Sequence, residues 1–142
     1  MQSSLLLSEA EALQINPVAL AFLGDAVYSL WVRERLVRSG GGTSASYQRS
    51  ASLVESARGQ NVLLERILPL FTERETEIFK RARNAKKATK SKSASVAEYN
   101  RSTGLEAVLG FLYLTGNFKR VDELLSNMDE VKAVSAPTAY KP

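Results

Sequence analysis

The 142-residue chain contains no histidine and no cysteine. Without imidazole or thiol, Ser-His-Asp triads, cysteine nucleophiles, disulfides and the usual structural and catalytic zinc sets are excluded. Any catalysis must run on carboxylates, lysine, tyrosine, hydroxyls, backbone groups or a hard, oxygen-seeking cation such as magnesium. Long hydrophobic runs are missing too. The longest nearly apolar stretch, Ala19 to Val32, is 14 residues long and carries an aspartate, well short of the roughly 20 residues a bilayer demands. The opening MQSSLLLSEAEALQ lacks the basic start and long apolar stretch of a signal peptide. A cytoplasmic location is therefore the default expectation, and the lack of cysteine agrees with it.

What is present is enough for one core. At 142 residues and 44% hydrophobic content, a single domain is expected. The net charge of +4 is unevenly spread. Between Phe79 and Ser93 lie Lys80, Arg81, Arg83, Lys86, Lys87, Lys90 and Lys92 with no acid, and removing these seven leaves the rest of the chain at −3. A mildly acidic body thus carries one concentrated cationic segment, which suits an anionic partner.

The pattern predicts an all-α fold of about five to seven helices. Asn16 and Pro17 open a long, mostly buried helix that Ser39-Gly40-Gly41-Gly42 ends. Thr43 or Ser44 caps a second, from about Ala45 to Leu68, with Tyr47, Ala51, Val54, Ala57 and Asn61 along one face. Thr72 and Glu75 form a capping box for a third. Residues 86–97, too polar for a packed element, read as a basic loop. Ser102 or Thr103 caps an apolar helix from Leu105 to Leu114, and a last amphipathic helix runs from about Phe118 to Val134. Residues 135–142 read as a frayed tail.

Two carboxylates stand alone in apolar surroundings: Asp25 in PVALAFLGDAVYSLWV and Glu106 in TGLEAVLGFLYL. Each is costly there and needs a reason. One resolution crosses the two helices so that both acids share a divalent cation, with Gly24 and Gly110 allowing close approach. The other lets each acid point out through a gap, or bond to an arginine or a backbone N–H. The residues alone leave both open.

AFLGDAVYSLWVRERL, residues 21–36, resembles the signature of the ribonuclease III family, and Glu106 in its Glu-Ala-x-x-Gly-x-x-Tyr-Leu setting resembles that family's second obligatory acid. RARNAKKATKSKSASVAEYNRST, at 81–103, is similar to the compact Mini-III branch, with its Arg-Asn-Ala-Lys block and a Tyr shortly before Ser-Thr. The full-length family has glutamates one and two turns before the aspartate, where this chain has Ala21 and Val18, and an aspartate three residues before the glutamate, where it has Thr103. Mini-III members share that thinning, so only Asp25 and Glu106 carry over as catalytic metal ligands.

The resemblance implies a ribonuclease III-like catalytic domain over 1–134, with no double-stranded-RNA-binding domain. It implies magnesium-assisted cleavage of double-stranded RNA to 5′-phosphate products, in the maturation of large-subunit (23S) ribosomal RNA precursor. Arg81, Arg83, Asn84 and Lys86 are the RNA contacts within the matched block; Lys87, Lys90 and Lys92 join them on charge alone. A homodimer is expected through Phe22, Ala26, Ser29 and Leu30, and a ribosomal protein that presents the RNA is a further partner to consider. The competing expectations are a catalytically silent RNA-binding dimer of the same fold acting in ribosome assembly, and a helical partner-binding protein that ignores nucleic acid.

Overall fold

A computed structural model describes residues 5–87 and 95–128. Helix α1 spans Glu9–Leu13, α2 Pro17–Ser39, α3 Ser44–Glu55, α4 Ala57–Ile67, α5 Glu73–Asn84, α6 Val96–Leu114 and α7 Phe118–Leu125, with a 3-10 turn at Leu68–Leu70 between α4 and α5. The described residues form no strand, and none of their helices is long and apolar enough to cross a membrane.

Helix α2 begins and ends as its sequence predicts. The Asn16 side chain accepts from the Val18 N–H at 2.8 Å, Pro17 fills the first turn, and Gly40 leaves the helix at φ +72°. Thr72 and Glu75 close their capping box reciprocally at the start of α5.

Three boundaries differ from the sequence reading. The single helix expected over 45–68 is two, because Ser56 adopts an extended conformation and its hydroxyl accepts from the Gly59 N–H at 3.0 Å, capping α4. Gly59 then packs against the carbonyl of Leu53, in a space that leaves no room for a Cβ. Helix α6 starts nine residues before Leu105, on a Ser95–Glu98 capping box, so the basic loop loses its last residues to a helix. Its polar first turns are held by α4: Asn61 donates to the Glu98 carbonyl at 2.9 Å and accepts from Arg101 at 2.8 Å. Helix α7 stops at Leu125, where Asn127 turns back to the carbonyls of Glu123 and Leu124. The remainder expected up to Val134, and the tail, lie outside the described residues from 129 onward.

Helix α6 is the central element, packed on by α1, α2, α4, α5 and α7. From Ser102 to Leu112 every residue except Glu106 is buried. The closest packing is with α2. A Cβ on Gly24 would run into the carbonyl of Glu106, and one on Gly110 into the carbonyl of Leu20, so the two backbones touch at the crossing. Tyr28, fully buried, ties α2 to the end of α3 by donating to the Val54 carbonyl at 2.6 Å.

Candidate active site

The α2–α6 crossing sets Asp25, next to Gly24, against Glu106, one turn before Gly110. Asp25 is exposed and Glu106 half-buried. Burial, then a hydrogen bond with Asp25, then repulsion from its charge push the Glu106 carboxyl up to about 8, against the opposing effect of a hydrogen bond from Gln60. The structure brings the two acids together at the crossing, as the first sequence reading has it, and leaves Asp25 exposed, as the second has it.

Two further residues complete the surroundings. Glu55, the last residue of α3, accepts a hydrogen bond from the Ser29 hydroxyl. Burial raises its carboxyl above the ordinary range, with Arg33 opposing and Asp25 adding to the rise. Gln60, only 2% exposed, sends its Nε2 to Glu106 Oε2 at 3.1 Å and to the Glu55 carbonyl at 3.3 Å. Both arrive because the chain breaks at Ser56; an unbroken helix could not bring the end of α3 and the first turn of α4 to one place.

The donors suit a hard cation. Two carboxylates that repel each other, one half-buried, both gain from a divalent ion between them. Magnesium commonly takes one or two carboxylates and leaves its other positions to water and phosphate. Among the described residues no group of three or more Asp, Glu, His or Cys side chains could hold a metal ion by itself.

The comparisons with known proteins cover the stretch that holds both acids. The ribonuclease III domain family matches residues 18–117. The chain is 43% identical to the Mini-ribonuclease 3 of Streptococcus pneumoniae over 79% of its own length and 89% of that protein's. It is 42% identical to the Mini-ribonuclease 3 of Symbiobacterium thermophilum, over 82% and 89%. The chain belongs to the ribonuclease III family. Its fold is also that of a crystal structure of a protein from Fusobacterium nucleatum, with a TM-score of 0.73, 29% identity, and coverage of 78% of this chain and 90% of that one.

Where full-length ribonuclease III members carry additional acids, this structure has no ligand to offer. Ala21 is buried, and Thr103 is buried with its hydroxyl donating to the Tyr99 carbonyl at 3.0 Å. The basic residues lie at the far end of α5, whose Phe79 packs against Gly104, two residues before Glu106. Arg81 and Lys86 are exposed. Arg83 lies over the Phe79 ring at 5.6 Å and donates to Asn84 at 3.1 Å. Lys87 is already engaged: its ammonium donates to the carbonyls of Arg83 at 3.0 Å and Ala85 at 2.7 Å, capping α5. Lys90 and Lys92 lie outside the described residues.

On the expected dimer face, Phe22 is 84% and Leu30 49% exposed, and Ala26 is exposed between them at four-residue spacing. Ala26 and Leu30 line an apolar groove of about 670 Å³ together with Leu23, Val27, Trp31 and Tyr113. Ser29 differs from its neighbours, since its hydroxyl is turned to Glu55.

Gln60 and Glu55 are the site residues that the sequence reading does not find. Gln60 carries a signal: it occupies the first position of the buried stripe Gln60, Leu63, Leu64, Ile67, where a polar residue calls for a partner. Glu55 carries none, because its role depends on the break that follows it.

Proposed function

We propose that this chain is a magnesium-dependent endoribonuclease that cleaves double-stranded RNA, leaving 5′-phosphate and 3′-hydroxyl ends, and that it acts as a cytoplasmic homodimer on the precursor of large-subunit ribosomal RNA. The observation that carries the reading is the pairing of Asp25 and Glu106 at a backbone-to-backbone helix crossing in a ribonuclease III family chain. Asp25 presents its carboxylate to solvent, where a cation would link it to an arriving phosphate. Glu106 holds a proton up to about pH 8 and releases it when positive charge enters the pocket. Asp25 and Glu106 together would hold magnesium, which when bound supplies Lewis-acid stabilisation and activates water for attack on phosphorus.

Arg81, Arg83, Asn84 and Lys86, with Lys90 and Lys92 of the segment beyond, grip the phosphate backbone. A duplex read by shape and phosphate needs no base-specific pocket. Lys87 contributes from its capping position at the end of α5. Exposed Phe22, one turn before the groove-lining Ala26, offers α2 a projection and a recess for a self-complementary two-fold contact.

The deciding experiment is Asp25→Asn. Cleavage of a duplex RNA in magnesium is expected to be lost while duplex affinity stays within a few fold. Undiminished cleavage by that variant would remove Asp25 from the site, whereas salt-dependent duplex binding with no cleavage by the wild type would favour an RNA-binding module without catalysis.

A further inference from the structure

Gln60 is a buried polar side chain in contact with Glu106, and the cation site as described gives it no part. Its Nε2 lies between two acceptors, Glu106 Oε2 and the Glu55 carbonyl, so the amide nitrogen and not the oxygen must face Glu106. Its Oε1 is buried and has no partner among the described residues. A residue serving only to pack this stripe would be better as leucine or methionine, which leave no carbonyl stranded. The amide is therefore explained by what its nitrogen does.

We propose that Gln60 is a positioning residue: by donating to Oε2 it fixes the orientation of the Glu106 carboxylate, so that the other oxygen is presented to the cation shared with Asp25. The inference rests on the reading of Asp25 and Glu106 as the cation site. The Ser56 break is what makes it possible, since it brings Gln60 to the Glu55 carbonyl, and this second bond keeps the amide from rotating away. Partners that orient a ligating side chain typically change metal affinity or activity by roughly 10–100-fold when removed.

The test is calorimetric titration of Mn2+ into the RNA-free protein, for wild type, Gln60→Met, Gln60→Asn and Asp25→Asn, with the thermal melt of each recorded. Gln60→Met keeps the volume and removes the donor. Gln60→Asn keeps the amide but is too short to reach, and it repeats the measurement without the bulk of methionine. Both are expected to weaken Mn2+ binding by roughly 10–100-fold, and both should regain much of their RNA cleavage at saturating Mn2+ with an unchanged KM for duplex. A purely packing role would lower the melting temperature and leave the Mn2+ affinity of the folded protein as in wild type; that result in both variants overturns the proposal. Wild-type Mn2+ affinity in Asp25→Asn as well would overturn the cation site itself, whereas its loss there alone would overturn only the role of Gln60.

Discussion

Replacing Glu106 by glutamine should stabilise the metal-free protein, and only at neutral to alkaline pH. The folded-state carboxyl titrates near 8 against an ordinary value of 4.5. Below pH 4.5 both states carry the proton and the group has no differential effect. Between 4.5 and 8 the unfolded chain has released the proton while the folded one keeps it, so the unfolded state binds fewer protons and stability falls as pH rises. Above 8 the loss is complete. At 1.36 kcal/mol per pKa unit the ceiling is about 5 kcal/mol; Glu106 is half-buried and its partner Asp25 is exposed and screened, which brings the expectation to about 2–3 kcal/mol. Urea unfolding in EDTA should therefore show Glu106→Gln more stable than wild type by that amount at pH 8.5, and by less than about 1 kcal/mol at pH 5. Millimolar magnesium should reverse the order at pH 8.5 by stabilising wild type alone. A difference that does not change with pH, or a variant less stable at pH 8.5 in EDTA, would refute the account of Glu106 as a carboxyl held protonated by burial and by Asp25.

Gly24→Ala places a Cβ against the carbonyl of Glu106, an atom that cannot yield without parting α2 from α6. It should lose about 3 kcal/mol or more in thermal or urea melts, and its folded fraction should cleave duplex RNA at least about 10²-fold more slowly, since the two acids are displaced together. Phe22→Glu should leave the fold intact, because Phe22 is 84% exposed, and convert the protein to a monomer in sedimentation velocity. A persisting dimer would move the self-association face away from α2.

The helices with strong punctuation are legible in the amino-acid sequence. Asn16-Pro17 at the start of α2, the glycines after Ser39 and the Thr72–Glu75 box each satisfy backbone groups locally, so their effect can be read from a few residues. Glu106 and Asp25 are legible as isolated charges in apolar runs, and Gly24 and Gly110 mark where backbones can meet. What escapes depends on distant partners. The first turns of α6 look like loop because they are polar, and only Asn61 of α4, reaching the Glu98 carbonyl and receiving Arg101, makes that polarity fit a packed helix. Ser56 is hidden for the opposite reason. Apolar spacing continues across it, and nothing in that spacing indicates that its hydroxyl will cap a new helix instead of facing solvent.

The break at Ser56 connects fold and chemistry. A straight helix over 45–68 would carry its buried stripe past the α2–α6 crossing and bring only one of its turns near Glu106. Turning at Ser56 lets the end of α3 meet Ser29, one turn beyond Asp25, while the first turn of α4 meets Glu106. Both acids of the proposed cation site are thus flanked by residues from the same short corner: Glu55, whose own carboxyl is raised by burial and by Asp25, and Gln60, whose hydrogen bond opposes the rise at Glu106. The missing family acids at Ala21 and Thr103 do not have to be replaced by other ligands. On the proposed reading, a cation relieves the repulsion of the two acids and the neutral hydrogen bond from Gln60 sets the orientation of Glu106. The sensitivity of the site should then lie in geometry, at Gly24, Ser56 and Gln60, as much as in the acids themselves.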